Sequence, residues 1–271
     1  MTSNSVQNSH QDAVVLQVDK RGVATITLNR PDKHNAFDDA VIAQLQRAFD
    51  DVRQRDDVRV VVLASNGKNF SAGADLSWMQ RMADYTYDHN LQDARLLAAM
   101  LRALHDLPQP TIARVQGAAF GGAVGLVSCC DMAVAADDAS FCLSEVKIGL
   151  IPATIGPYVV KAMGERAARR YFMTAERFSA NSAQQTGLVS VIAAQGELDE
   201  RVNALVDTLL ANGPLAVRAA KQLVVDVAAQ EINDAVIEDT CERIARIRVS
   251  DEGQEGLGAF LQKRQPAWRG E

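Results

Sequence analysis

Strand-like and helix-like segments alternate along the first half of the chain, and this alternation most strongly limits the fold. Two β-branched stretches flank a turn at 20–22 and predict a β-hairpin over 13–19 and 23–29. Apolar residues at helical spacing then alternate with short apolar strands, in the order helix 35–57, strand 58–65, helix 90–108, strand 111–117, short helix and strand 131–137. Strands joined through helices need crossover connections, which predicts an α/β fold with a largely parallel sheet.

The second half of the chain is nearly all helical after about residue 157. Four amphipathic segments follow one another at 197–213, 214–230, 232–249 and 251–264. We therefore expect three regions: a disordered tail over 1–12, an α/β core over 13–200 and a helical region over 201–271. A helical appendage of this kind often mediates oligomerisation.

Charge and hydropathy exclude several classes of partner. The net charge of −6 argues against a nucleic-acid-binding surface, which normally has a basic footprint. The most apolar stretch, 111–130, is interrupted by Arg114, Gln116 and glycines, so no membrane span is expected. The polar first ten residues have no signal-peptide hydrophobic region, which predicts a cytoplasmic protein.

The cysteines and histidines do not form a metal-binding pattern. The four cysteines include an adjacent pair and two in apolar context, which favours free thiols in a reducing compartment. The four histidines lack an HExxH arrangement and have no partner cysteines at zinc spacing. No metal is expected.

Two stretches rich in glycine and alanine follow predicted strands. They are "NFSAGADLSWM" at 69–79 and "GAAFGGAVG" at 117–125. Small residues at the carboxyl end of a parallel strand let backbone N–H groups approach a ligand, and a following helix N-terminus adds unpaired donors. Two such loops side by side could form an oxyanion hole. The alternative is that small residues only let helices pack closely on the sheet.

A third stretch, "FCLSEVKIGLIPATIG" at 141–156, contains one carboxylate in apolar surroundings, Glu145. Burial would raise the pKa of this side chain and suit it to proton transfer. The alternative is an exposed glutamate or one paired with Lys147.

Six ordered motifs together resemble the enoyl-CoA hydratase/isomerase (crotonase) superfamily. They are "LNRPDKHNAF", "FSAGADL", "GAAFGG", "CCDMAVAADDASF", "SEVKIGLIPATIG" and "GLGAFLQKRQPAW", and the resemblance covers roughly 13–268. It implies a crotonase-like ββα-superhelical core with a helical C-terminal trimerisation region. It also implies acyl-CoA thioester substrates, a homotrimer or dimer of trimers, and no cofactor beyond the coenzyme A of the substrate.

The resemblance assigns roles to individual residues. The backbone amides of Ala74 and Gly122 match the pair that holds the thioester oxygen, and Glu145 matches the family's second catalytic glutamate. Coenzyme A would lie along "DKHNAF" and "SAGADL", with the lysines binding its phosphates unless they are ordinary solvated residues. The substrate-binding candidates are Lys33, Ala36, Ala72, Asp75, Leu76, Phe120, Gly125, Pro152 and Lys263. For Phe120 core packing is an equal alternative, and Asp75 is more naturally a brace of its loop.

Position 125 departs from the family pattern, because classical hydratases carry their first catalytic glutamate there and this chain has Gly125. Members with one glutamate include Δ3-Δ2-enoyl-CoA isomerases, which favours an isomerase. The surrounding motifs instead resemble bacterial methylglutaconyl-CoA hydratases of leucine and isoprenoid breakdown. Our hypothesis is that Gly125 leaves room for a β-branch or removes a charge that would repel a distal carboxylate of the substrate. The sequence therefore predicts a hydratase for 3-methylglutaconyl-CoA or a related branched enoyl-CoA, with an isomerase or a non-catalytic CoA-binding paralogue as alternatives.

Overall fold

A six-stranded sheet and a smaller three-stranded sheet organise the computed structural model, which describes residues 12–269. The strands are β1 Val14–Val18, β2 Val23–Leu28, β3 Val60–Ser65, β4 Thr111–Val115, β5 Ala118–Phe120, β6 Met132–Ala136, β7 Ser140–Cys142, β8 Phe178–Ser179 and β9 Val191–Ala193. The large sheet has the order β1-β2-β3-β4-β6-β9, and the small one β5-β7-β8.

Eleven α-helices connect and flank these strands in the described part of the chain. They are α1 Asp39–Arg53, α2 Leu76–Ala83, α3 Tyr87–His105, α4 Gly122–Cys129, α5 Gly156–Met163, α6 Glu165–Thr174, α7 Ala180–Gln185, α8 Leu198–Leu210, α9 Pro214–Val227, α10 Asp234–Val249 and α11 Asp251–Leu261. Every pair in the large sheet is parallel except the β1–β2 hairpin. The predicted hairpin and the predicted parallel sheet are both confirmed.

The centre of the large sheet is buried on both faces. All six residues of β3 are buried, and its five apolar residues alternate between two apolar clusters. Val61 and Leu63 pack with the core helices, whereas Val60, Val62 and Ala64 pack in the cluster that includes residues of α8. Continuous burial of this kind is typical of parallel strands covered by helices on both sides.

The C-terminal helices differ sharply from the core. Helix α8 buries Leu198, Val202 and Val206 against the sheet, but α9 and α10 have no buried residue. The expected boundary at 200/201 falls inside α8. Helix α9 contacts the core through polar side chains, since Arg218 donates to the Val58 carbonyl at 2.8 Å and Lys221 to the Gln109 carbonyl at 3.0 Å. Residues 1–11 of the expected tail lie outside the described residues.

None of the helices in the described range 12–269 is both long enough and apolar enough to span a bilayer.

Candidate active site

The two small-residue stretches lie side by side. The Phe120 N–H donates to the Ser71 carbonyl at 3.0 Å, and Ser71 forms a parallel bridge with Ala119. Gly73 has a φ of +91°, and a Cβ there would lie 2.8 Å from the Phe120 carbonyl oxygen. Only glycine fits this position, because any side chain would push the two loops apart.

Ala74 is held from both sides by the backbone of Phe37. The Phe37 N–H donates to the Gly73 carbonyl at 2.9 Å, and the Asp75 N–H donates to the Phe37 carbonyl at 3.0 Å. The Ala74 N–H itself has no acceptor among the described residues. It is therefore a free backbone donor in a fixed loop.

Gly122 supplies a second free donor. It is the first residue of α4, where an amide has no intrahelical acceptor, and none is found for it elsewhere in residues 12–269. Its Cα lies against the ring of Phe37, since a Cβ on Gly122 would be 2.5 Å from Phe37 Cζ. Phe37 thus contacts both candidate donor positions, one through its backbone and one through its ring.

Glu145 lies beside the start of α4. It follows β7 and begins a 3-10 helix, Glu145–Ile148, and the Gly121 N–H donates to the Cys142 carbonyl at 2.8 Å. A Cβ on Gly121 would lie only 3.4 Å from Glu145 Oε1. The carboxylate therefore adjoins the N-terminus of the helix whose first amide is that of Gly122.

The carboxylate of Glu145 is partly desolvated and has no partner among the described residues. Its Oε2 is buried without a hydrogen-bond partner, and no salt bridge to Lys147 or to another described cation is present. Burial raises the pKa of Glu145 above the ordinary glutamate value. A buried, unpartnered acceptor is unusual in a folded protein and is typical of groups that act on a ligand.

Gly125 requires a correction to the hypothesis that it leaves room for the substrate. It is buried in α4, and a Cβ there would lie 2.2 Å from Cγ2 of Ile155, the residue before α5. The space is filled by the protein's own Ile155, so it does not receive a β-branch. The second part of the hypothesis, the removal of a charge, is unaffected.

Asp75 braces its loop, as the alternative to a substrate contact predicted. Its carboxylate caps α2 by accepting from the Ser77 N–H at 2.9 Å, and it lies 3.5 Å from Lys33 Nζ. The Ser77 hydroxyl, and then the nearby lysine and arginine charges, hold the pKa of Asp75 well below its usual range. The Lys33 side chain is half exposed, so a phosphate of a ligand could reach it. Because Lys33 also pairs with Asp75, the phosphate and the carboxylate would share the positive charge of the lysine.

The other substrate-binding candidates occupy varied positions. Ala36 and Pro152 are buried, whereas Ala72, Leu76 and Lys263 are exposed. Leu76, at the start of α2, is 77% exposed. Phe120 is half buried with the Arg177 guanidinium 4.9 Å from its ring centroid. Lys263 follows α11 with a φ of +55°, on a different region of the chain from the two loops.

The described part of the chain contains neither a disulfide nor a metal-binding cluster. All four cysteines are free, and Cys129 and Cys142 are buried; burial raises the pKa of Cys130 to about 12. No group of three or more potential metal ligands occurs within the described range.

Three residues of the site were missed by sequence reasoning. They are Arg30, Phe37 and Ile155, which contact the loops from distant positions in the chain. Arg30 and Phe37 lie in the quoted motif "LNRPDKHNAF", so the motif was a signal, but their contacts are visible only in three dimensions.

The chain is similar in sequence and in structure to known proteins. The family model described as "Enoyl-CoA hydratase/isomerase" matches residues 19–271. An Escherichia coli protein named 2,3-dehydroadipyl-CoA hydratase is 32% identical over 251 residues, 92% of this chain and 95% of that protein. A crystal structure of an enoyl-CoA hydratase from Shewanella pealeana is 47% identical with a TM-score of 0.91, over 95% of this chain and 96% of that one. The structure of Pseudomonas aeruginosa AtuE has the same TM-score at 34% identity, over 95% and 100% of the two chains. The predicted crotonase-like α/β fold with a helical C-terminal region is confirmed.

Proposed function

Because the chain belongs to the enoyl-CoA hydratase/isomerase family, we propose that it is a hydratase that adds water syn across the double bond of a 2-enoyl-CoA. The observation that carries this proposal is the half-buried carboxylate of Glu145, whose Oε2 is buried without a hydrogen-bond partner, beside the N-terminus of α4. In the same place, the amides of Ala74 and Gly122 lack acceptors within the described residues.

In the proposed mechanism, these two amides donate to the thioester oxygen. Negative charge develops on that oxygen as the double bond is attacked, and fixed donors stabilise the charge without reorganisation. The partial positive charge at the N-terminus of α4 acts in the same direction. Losing one such donor typically lowers the rate about 10²–10³-fold.

Glu145 then moves one proton in two steps. Its carboxylate accepts a proton from water while the water oxygen forms a bond to Cβ, and the π electrons move to give the enolate. The enolate collapses as the same carboxyl group returns the proton to Cα. Hydroxyl and hydrogen are delivered from one face, which gives syn addition.

We propose that the acyl group is 3-methylglutaconyl or a related branched chain with a distal carboxylate. The E. coli relative is named for a thioester of a dicarboxylic acid, which supports an acidic acyl chain. A glutamate at position 125 would bring a second negative charge into the site. Two like charges about 4 Å apart cost about 4 kcal/mol at an effective dielectric of about 20, and Gly125 avoids that cost.

The proposal includes the rest of the expected assembly. The protein acts on its CoA thioester without a separate cofactor, as a homotrimer or dimer of trimers. Its four free cysteines are compatible with a reducing compartment, the cytoplasm.

One observation favours a second function, Δ3-Δ2-enoyl-CoA isomerase. Glu145 stands without the usual second carboxylate, since position 125 is a glycine packed by Ile155. A single carboxylate suffices to take a proton from C2 of a 3-enoyl-CoA and return it to C4.

The test is to incubate the protein with 3-methylglutaconyl-CoA, crotonyl-CoA and a 3-enoyl-CoA and to measure product masses. We expect a gain of one water with 3-methylglutaconyl-CoA. Unchanged mass with a migrated double bond in the 3-enoyl-CoA would instead establish the isomerase. Binding without any product would establish a non-catalytic CoA-binding protein.

The Glu145→Gln variant tests the proton carrier. We expect kcat to fall about 10²–10⁴-fold, the usual range for a general acid–base residue. Because burial raises the pKa of Glu145 and the ionised form accepts the proton, the wild-type rate should fall on acidification at a pH above the ordinary glutamate pKa. The control is Glu165→Gln, an exposed glutamate at the start of α6. Wild-type kinetics in Glu145→Gln would remove this residue from the mechanism.

A further inference from the structure

Arg30 joins the two chain segments that meet at Ala74. Its Nη1 donates to the Ala36 carbonyl at 2.9 Å and to Asp38 Oδ2 at 3.2 Å. Its Nη2 donates to Asp75 Oδ2 at 3.1 Å. One guanidinium therefore holds residues on both sides of the Phe37–Ala74 bridge.

Both carboxylates bound by Arg30 are helix caps. Asp38 Oδ1 accepts from the Val41 N–H at 3.0 Å at the start of α1. Asp75 caps α2. The exposed fraction of the side chain is 17% for Arg30, 18% for Asp38 and 7% for Asp75, so solvent screens these contacts little.

The planar guanidinium suits this task in a way that a lysine would not. It presents several donors in a fixed fork, and here the fork binds three oxygens from two segments. Lys33 also pairs with Asp75, but through one contact at 3.5 Å from a half-exposed side chain. Lys33 cannot replace the link to Ala36 and Asp38.

The negative charge of Asp75 gives a second reason for the largely buried cation of Arg30 at this place. Asp75 directly follows Ala74, so an uncompensated carboxylate would oppose negative charge on a ligand oxygen at the Ala74 amide. Arg30 and Lys33 offset that charge.

We infer that Arg30 is a positioning residue, which fixes the Ala74 amide relative to the Gly122 amide by clamping 36–38 to Asp75. This inference rests on the proposed function, because it assumes that the two amides share one ligand oxygen. Displacing a donor by about 1 Å can cost about 10²-fold in rate. Arg30 touches neither amide and acts through Asp75 and the Phe37 bridge.

The test uses 4-(dimethylamino)cinnamoyl-CoA, whose absorption moves to longer wavelength when its thioester carbonyl is polarised. We expect a red shift on binding to the wild-type protein, and a clearly smaller shift with Arg30→Met. With the substrate that the wild type turns over, Arg30→Met should lower kcat about 10–100-fold and leave KM within about threefold. Arg30→Lys keeps the charge but not the forked set of donors, so its red shift and kcat should lie between those of the wild type and Arg30→Met. It replaces Arg30→Met in the test if that variant does not fold.

The matched control is Arg53→Met, because Arg53 also joins two segments through backbone carbonyls, those of Ala103 and Asp106. It should leave the red shift and kcat unchanged. If folded Arg30→Met gave a red shift as large as that of the wild type, the inference would be overturned and the proposed function would stand. If Arg30→Met does not fold, the same result with Arg30→Lys would have the same consequence. A red shift in the wild type without hydration of any enoyl-CoA would overturn the proposed reaction, and a reduced shift in the Arg30 variants would then still support the inference. No red shift in the wild type would overturn the inference and the shared role of the two amides, whereas the reaction itself is decided by the product mass.

Discussion

At position 125 the volume that a side chain would need is taken by Ile155. A Cβ on Gly125 would meet Ile155 Cγ2 at 2.2 Å and Cβ at 2.7 Å, with Leu101 Cδ2 at 3.6 Å. All three residues are buried. Any side chain at position 125 therefore disturbs the packing of the core, whatever its charge. An experiment at this position has to separate the effect of packing from the effect of charge.

We predict that Gly125→Glu alone is strongly destabilising, because overpacking a core typically costs about 1–3 kcal/mol and the added charge is buried. Gly125→Glu combined with Ile155→Ala should fold better, as measured by thermal unfolding. If the missing charge serves an acidic substrate, the double variant should lose kcat/KM at least about 10-fold for 3-methylglutaconyl-CoA relative to crotonyl-CoA. The reference is Ile155→Ala, and equal selectivity in the two proteins would contradict the charge hypothesis.

Individual residues also mark the limit of sequence reasoning. Glu145 could be singled out because one acidic residue stands in an apolar stretch, and the two loops because small residues follow strands. The role of Arg30 could not, since it depends on an approach to Asp75, 45 residues away. Likewise, nothing in the sequence places Ile155 against Gly125.

At the scale of elements, Phe37 couples α4 to the loop before α2. Its backbone brackets Ala74, and its fully buried ring lies under Gly122. A methyl group on Gly122 would have to displace that ring or the start of α4. Either movement changes the separation between the two free amides.

We predict that Gly122→Ala lowers both the melting temperature and kcat, and that adding Phe37→Leu partly restores both by shortening the side chain. Thermal unfolding and steady-state kinetics measure the two effects. The control is Gly156→Ala at the start of α5, where a Cβ meets only Phe172 Cε2 at an ordinary 3.8 Å. If Gly122→Ala were as stable and active as Gly156→Ala, the contact with Phe37 would not matter.

Periodicity predicted the long elements and missed the shortest strands. Helices α1 and α3 and strands β3, β4 and β6 lie within a few residues of their predicted positions. Strands β5, β7, β8 and β9 have only two or three residues, too few for an alternating pattern, so the small sheet and the sixth strand of the large sheet were missed. The small sheet matters because it holds Gly121 against Cys142, three residues before Glu145.

At the scale of the whole molecule, the C-terminal helices expose much apolar surface. An open groove of about 380 Å³ lies between α9 and α10, lined by Ala216, Ala219, Ala220, Gln222, Leu223, Thr240, Arg243, Ile244, Arg246 and Ile247. Phe260 and Leu261 at the end of α11 are 81% and 77% exposed. Apolar patches of this kind typically mark protein–protein interfaces.

We predict that the protein is a trimer or dimer of trimers in solution, and that Phe260→Asp with Leu261→Asp shifts it toward monomers. Light scattering after size-exclusion chromatography gives the mass. The control is Tyr87→Asp. Tyr87 is an equally exposed aromatic residue at the start of α3, outside the C-terminal helices. A wild-type monomer, or a double variant that keeps the wild-type mass, would contradict this use of α11.

The packing of Ile155 against Gly125 also limits how a chain of this kind can change over generations. If Gly125 is replaced by an acidic residue while Ile155 is still present, the resulting protein is overpacked and folds poorly. A smaller residue at position 155 has to come first. That substitution leaves a cavity and costs a tolerable amount of stability, and Gly125 can be replaced afterwards. The order of the two changes is thus set by a steric contact, whichever substrate the second change favours.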